Sequence, residues 1–429
     1  MFIWGNIMTE LIEQLKALAN NKLRFRLVET HELSFSMVNA DLDKLEEAEN
    51  DTLIIDLISD NKRLTRAIDV RDMDYILQNI SEMKTLIKLK ETKFYPAFND
   101  TNPISVKKEI NNDFPVLDIP QLCSKIKSVN SNFLRNKIVK SIESIFVIEF
   151  EKKTFISNLI DVENNQKVNV YSEVFVRDKS ESSHGLSKTY SSISEFDSLK
   201  YIAELEQRIN LEKNPYEDSS LASKDYDIIF TPDVLSSILD AFIIDNMTIE
   251  HYRKKDSFVY NDFSISNKIN IAENPFVEDS PYSISRDGDF ILTTQKCLVD
   301  DGAIKSYISN ENDAFKYEGI CTGNALSQGV TNLIMSEGQS SRSGLIKKTK
   351  KALLINGILG LHTTNSKEGA MNLIISSAVK IIDGKEVSCV KNISLNENFK
   401  ELLKFVEISK EREWSGNSLV PYLFCRRDN

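Results

Sequence analysis

The chain has 429 residues, 41% of them hydrophobic and 27% charged, which is enough apolar content to bury more than one core and argues against wholesale disorder. Its net charge of −11 repels phosphate and makes nucleic acid a poor partner. Five cysteines, Cys123, Cys297, Cys321, Cys389 and Cys425, are scattered without Cys-x-x-Cys spacing, so reduced thiols are expected rather than a disulfide framework. No run approaches the 18 apolar residues or so of a membrane span, and Met1–Ile7 lacks the basic start and small-residue cleavage site of a signal peptide. A cytoplasmic location is the expectation, with the first seven residues a loose extension before a helix over Thr9–Leu18.

Leu23, Phe25 and Leu27 interleave with Arg24 and Arg26, Leu33, Phe35 and Met37 repeat the pattern, and Leu53, Ile55 and Leu57 form a third run. A period of two places each set on one face of a sheet. Met73, Ile76, Ile80, Met83 and Ile87 recur at three- and four-residue spacing and predict a helix. Four prolines between Tyr95 and Pro120, with little periodicity, read as a linker. Leu122, Ile126, Val129 and Phe133 then mark a helix, followed by strands near Ser144–Phe150, Thr154–Val162 and Lys167–Val176, and by a helix over Phe196–Leu211 that Asn214-Pro215 terminates. Beyond it come a strand at Tyr226–Phe230 and, at Thr231-Pro232-Asp233, a helix start with Thr as N-cap and Pro in the first turn. Leu235, Ile238, Leu239, Phe242 and Ile243 form the buried stripe of that helix.

Of the 14 glycines, only Gly5 and Gly185 precede residue 288, so the last third reads as turn-rich β structure. The fold class expected is α+β: mixed α/β N-terminal domains and a β-rich C-terminal domain. The boundaries are an N-terminal domain over 1–95, a linker over 96–120, a middle domain over 121–215 and a C-terminal domain over 216–429.

Local motifs add little chemistry. His31-Glu32 resembles the opening of a zinc-binding helix, but position 36 is Ser and the segment alternates as a strand. His184, His251 and His362 are isolated. The stretch from Gly323 to Gly329 matches neither phosphate-loop form. No Gly-x-Ser-x-Gly elbow occurs. The run Lys347, Lys348, Lys350 and Lys351 reads as a solvated face.

Six collinear segments carry a resemblance. They are DIIFTPDVLSSILDAF from Asp227, HYRKKDSF from His251, SRDGDFILTTQKCLVDDGAIKSYISN from Ser285, CTGNA from Cys321, KKALLINGILGLHTTNSKEGAMNLIISSAVKIIDGKEV from Lys350, and VKNISLNENFKELLKF from Val390. In order and spacing they resemble the C-terminal domain of the TldD/PmbA family of peptidases, once described as modulators of DNA gyrase, and within it the TldE-like branch. The catalytic branch carries HExxxH on a helix and a cysteine near the C-terminus, a set suited to holding Zn²⁺ and moving a proton from metal-bound water. Here the resemblance places Asp240-Ala241-Phe242-Ile243-Ile244-Asp245 over that motif and Ser415-Gly416 over the Cys-Gly.

The resemblance therefore implies no catalytic residue and no metal in this chain, the degenerate positions being Asp240, Ala241, Asp245 and Ser415. It implies a TldD-like catalytic partner that carries the zinc, in a heterodimer whose cavity binds unfolded peptide, with a homodimer as the form of the chain alone. Tyr252, Arg253, Gly323 and Asn324 are the substrate-binding candidates, and the strands at Ala352–Leu361 and Met371–Ile382 are candidate surfaces for an added peptide strand. Two other readings stay open: a stand-alone peptide-binding homodimer, and an autonomous metallopeptidase with a different ligand set.

Overall fold

A computed structural model describes residues 2–70, 72–90, 118–177, 181–211, 221–261, 263–278, 280–326 and 329–427. The fold is α+β, and the chain divides into two compact units, residues 1–201 with 290–292, and residues 202–289 with 293–429. Most of the Pro-containing stretch expected as a linker lies outside the described residues.

The first unit is built on a six-stranded antiparallel sheet. Helix α1 (Phe2–Leu18) precedes β1 (Leu23–Val38), β2 (Asp41–Ser59), β3 (Lys62–Asp69) and helix α2 (Met73–Leu89); helix α3 (Ile119–Leu134) precedes β4 (Val139–Ile156), β5 (Ile160–Arg177) and β6 (Glu181–Tyr190). The strand order is β3-β2-β1-β4-β5-β6. Strand β1 pairs along its length with both β2 and β4, so the stretches assigned from sequence to an N-terminal and a middle domain contribute to one sheet. The two short runs at Leu23–Leu27 and Leu33–Met37 are one strand, and the turn after β4 falls within the segment expected as a strand at Thr154–Val162. The first helix begins at Phe2 rather than Thr9.

Local chemistry explains these elements. Asp60 and Asn61 both take positive φ in the β2–β3 turn, the conformation whose twist matches the flanking strands. Asp72 caps α2 by accepting from the Tyr75 N–H at 2.9 Å, and the predicted stripe Ile76, Ile80, Met83 and Ile87 is buried. Each such side chain contributes about 1.5–3 kcal/mol over an exposed one. One buried charge cluster crosses the sheet: Asp56 accepts from Arg24 Nη2 (3.1 Å), Arg63 Nε (2.8 Å) and Thr65 Oγ1 (2.6 Å). Burial alone would raise the Asp56 carboxyl, but the hydrogen bonds and charge of Arg63, then of Arg24, more than offset it and hold it below its usual value.

The second unit centres on an 11-stranded sheet. Its strands are β7 (Asp227–Phe230), β8 (Ile271–Glu273), β9 (Lys296–Asp300), β10 (Ala303–Ile304), β11 (Leu333–Met335), β12 (Lys351–Leu359), β13 (Ala370–Ile382), β14 (Lys385–Val390), β15 (Ile393–Asn398), β16 (Val406–Ser415) and β17 (Ser418–Cys425). The order is β10-β9-β8-β11-β17-β7-β12-β13-β14, with β15 also on β13 and β16 also on β17. Asp301-Gly302 and Asp383-Gly384, all at positive φ, make the tight turns that the glycine-rich last third predicts. Helix α4 (Ser198–Leu211) precedes β7 in sequence, and helices α5 (Pro232–Leu239) and α6 (Ile249–Lys254) lie between β7 and β8.

Candidate functional site

The site region begins where β7 ends. Strand β7 runs parallel to β12, with Phe230 beside Ile355, and antiparallel to β17. Thr231 then starts α5 with Pro232 in its first turn; its N–H donates to the Ile355 carbonyl at 3.2 Å. The Thr231 hydroxyl makes no capping bond and, among the described residues, its buried oxygen has no partner. Val234, Leu235, Ile238 and Leu239 bury the inner face of the helix.

At Asp240 the helix widens into a π turn over Asp240–Ile244, closed by the Asp245 N–H on the Asp240 carbonyl at 3.0 Å. Such turns often mark functional positions because the extra residue re-aims the side chains. Here the turn sends Phe242, Ile243 and Ile244 into the core, where Phe242 stacks on Phe399 with ring centres 5.0 Å apart. Asn246 locks it from below: its amide donates to the carbonyls of Ala241 (3.1 Å) and Phe242 (3.4 Å), and its oxygen accepts from Ser257 Oγ (3.1 Å).

Asp240 is half-buried, and its Oδ1 has no hydrogen-bond partner among the described residues. Burial, then the nearby Asp245 carboxylate, push its carboxyl up to about 6. Asp245, the more exposed of the two, is also raised by desolvation. Ser415 comes to the same helix: its carbonyl accepts from Ser236 Oγ at 3.3 Å, one helical turn before Asp240. The end of strand β16, at the position matched to the C-terminal Cys-Gly, thus contacts the helix that leads into the positions matched to the zinc motif.

The side chains at these positions do not fit a peptidase zinc ion. The zinc ion that the HExxxH resemblance implies would take imidazole and thiolate ligands, with a carboxylate beside it to accept the proton of bound water. Ala241 has no proton acceptor, Ser415 no thiolate, and the two aspartates supply no imidazole. Among the described residues no group of three or more His, Cys, Asp or Glu could hold a metal ion. His31 bonds Glu47 in the first unit, His251 bonds Asp256, and His362 lies on an exposed turn. Cys321 is a poor nucleophile, since burial pushes its thiol up to about 12.

The four substrate-binding candidates separate. Tyr252 and Arg253 are exposed on α6. Tyr252 sits against Tyr260 and Tyr307, with ring centres 5.3 and 5.2 Å away, and beneath Lys255, whose Nζ is 4.1 Å from its ring. The Arg253 guanidinium donates to the Glu318 carbonyl. Gly323 takes φ +71°, which a side chain would strain. Asn324 is 7% exposed, and its amide is spent on the Glu273 carboxylate (3.1 and 3.2 Å) and the Gly329 carbonyl (2.9 Å). It organises a loop rather than facing a ligand.

Sequence reasoning missed that anchor. Glu273 is fully buried and also bonds Lys296 (2.9 Å) and Thr331 (2.9 and 3.0 Å). Its signal was an isolated acid in the short strand Ile271–Glu273. Asn246, next to Asp245 in an apolar stretch, was missed likewise.

The expected peptide-adding strands also need correction. Strand β13 is flanked by β12 on one side and by β14 and β15 on the other, so it offers no long edge. Strand β12 is interior as far as Ile355. Beyond that point β7 has given way to α5, and no strand among the described residues pairs with Asn356–Leu359 on that side. A bulge at Asn356 leaves its Oδ1 buried and without a partner, and Leu359 is 59% exposed.

Comparison with known proteins agrees with this geometry. Residues 223–427 match the sequence model of the PmbA/TldA metallopeptidase C-terminal domain. An uncharacterized protein of Methanocaldococcus jannaschii is 24% identical over 206 residues, which cover 45% of this chain and 49% of that protein, so the chain spans about half the length of this relative. A Thermotoga maritima protein, named as a candidate modulator of a DNA gyrase, superposes with a TM-score of 0.82 at 18% identity, over 97% of this chain and 98% of that one. TldE from Thermococcus kodakarensis superposes with a TM-score of 0.78 at 15% identity, over 97% and 98%. At these identities the two structures establish the shared fold. The chain is thus similar in sequence to the PmbA/TldA metallopeptidase C-terminal domain over residues 223–427, and it shares its fold with these solved structures along nearly its whole length.

Proposed function

We infer that the chain is a non-catalytic, TldE-like subunit of a zinc metallopeptidase of the TldD/TldE type, which holds unfolded peptide for cleavage by a TldD-like partner. The observation that carries this reading is the π turn. The positions matched to the zinc motif are Asp240, Ala241 and Asp245, with three apolar side chains turned inward between them and no imidazole present. A chain of this kind binds and orients while its partner supplies the metal and the base.

The free edge of β12 at Asn356–Leu359 supports the peptide-binding half of the reading. An extended peptide offers main-chain donors and acceptors at strand spacing, which gives affinity with little dependence on sequence. The exposed Leu359 offers such a peptide an apolar contact. Catalytic capacity, partner and cytoplasmic location form one proposal; among the described residues no helix is long and apolar enough to cross a membrane.

The test is fluorescence anisotropy of a labelled, unfolded, uncharged peptide with the full chain. Binding without cleavage is expected, weakened about tenfold by Leu359→Asp, which sets a charge where an apolar contact forms. Absence of binding, or an unaltered affinity in Leu359→Asp, would contradict the assignment of this edge.

A further inference from the structure

The first unit carries a second free edge, longer and of a different chemistry. Strand β2 pairs with β3 only from Thr52 to Ser59, while its other side follows β1 from Asp41 to Leu57. Among the described residues no strand pairs with the outer side of Asp41–Asn50, and all ten residues are exposed. At about 3.4 Å per residue this is a bare edge roughly 34 Å long. Proteins usually shorten, bulge or cover such edges, because unpaired N–H and C=O groups template pairing with another chain.

The face of this ribbon is equally unusual. Leu45 lies directly opposite Phe35 and Leu42 opposite Met37, and residues in direct register share a face of the sheet. Phe35 and Met37 are buried at 2% and 3%, yet Leu45 and Leu42 stand 47% and 50% exposed. The apolar face thus continues onto β2, and among the described residues nothing covers Leu42 and Leu45 there.

Charge limits what can cover it. Residues 41–50 hold Asp41, Asp43, Glu46, Glu47 and Glu49 against Lys44 alone. Glu47 bonds His31 at 2.7 Å and Lys44 bonds Glu46 at 2.7 Å. The local field is negative enough that Asp51 is raised by Glu29 and Glu49 as well as, first, by its own burial. Two copies of this edge would set acid against acid, which is destabilising between facing strands.

We propose that the Asp41–Asn50 edge of β2 is a docking site for an extended, basic segment of a partner protein, which adds as a seventh strand to this sheet. Apolar side chains of the incoming strand cover Leu42 and Leu45, and its lysines or arginines meet Glu46, Glu47 and Glu49. The surface is separate from the β12 edge and does not depend on the function proposed above.

The probe is a labelled ten-residue peptide of Lys and Val, with Val at the positions facing Leu42 and Leu45 and Lys at those facing Glu46, Glu47 and Glu49; the same peptide with Glu for each Lys (Glu/Val) is its counterpart, and both are read by anisotropy and by amide hydrogen exchange on the full chain. The Lys/Val peptide is expected to bind and to slow exchange within residues 41–50. The variant E46K/E47K/E49K, altered only at exposed positions, should weaken that peptide about tenfold or more and favour the Glu/Val peptide instead. L42S/L45S should weaken it without changing its salt dependence. The proposal is overturned if the Lys/Val peptide leaves exchange in 41–50 unchanged, or if the charge-reversed variant binds it equally well. It is overturned too if those amides become protected with rising protein concentration and no peptide, which would make a second copy the occupant.

Discussion

Replacing Asp240 with Asn removes a carboxyl that the fold holds in an unfavourable place. Its carboxyl rises from an ordinary 3.8 to about 6, because burial and the Asp245 charge disfavour ionisation. A group of this kind binds its proton more tightly in the folded chain than in the unfolded one. Its contribution to stability is therefore complete below about pH 4 and is lost as pH rises through about 6. At about 1.4 kcal/mol for each tenfold change in proton affinity, the loss amounts to roughly 3 kcal/mol at pH 8. Asn cannot ionise, so Asp240→Asn should match the parent near pH 4 and exceed it by up to ~3 kcal/mol at pH 8. Urea unfolding followed by Trp414 fluorescence, in a Trp4→Phe background, reads the second unit directly. A stability difference that stays constant from pH 4 to pH 8, or a less stable variant at pH 8, would refute this account of Asp240.

The buried Asp56 behaves in the opposite sense. Asp56→Asn leaves the Arg24 and Arg63 charges beside a neutral amide and should destabilise the first unit by about 3–5 kcal/mol, measured by urea unfolding. In the parent chain the carboxyl is held below its usual value, so the stability it contributes is present above about pH 4 and is lost as pH falls further. Acid titration of the first unit's circular dichroism should show that loss in the parent and a flatter response in Asp56→Asn.

Much of this architecture is legible in the sequence because hydrophobic period is a local property. The stripe from Ile76 to Ile87, the alternation from Leu23 to Met37 and the Thr231-Pro232 helix start all became the elements they predict. What periodicity cannot show is which strands meet. Nothing in the residues of β1 and β4 states that they pair across more than a hundred positions, so one sheet looks like two domains. The π turn is hidden for a related reason: Asp240 to Ile244 has the composition of an ordinary helix end, and the extra residue is accommodated by Asn246 and the Phe399 stack, which are tertiary contacts. Asn324 shows the limit of motif transfer, since a polar residue beside a glycine can serve a buried carboxylate as readily as a substrate.

Zinc content and peptide cleavage, measured together on the chain purified alone and again with a TldD-like partner, test the central claim most directly. The account predicts near-zero zinc and no cleavage for the chain alone, with chelator-sensitive cleavage only when the partner is present. Stoichiometric zinc and chelator-sensitive cleavage by the chain alone would contradict it.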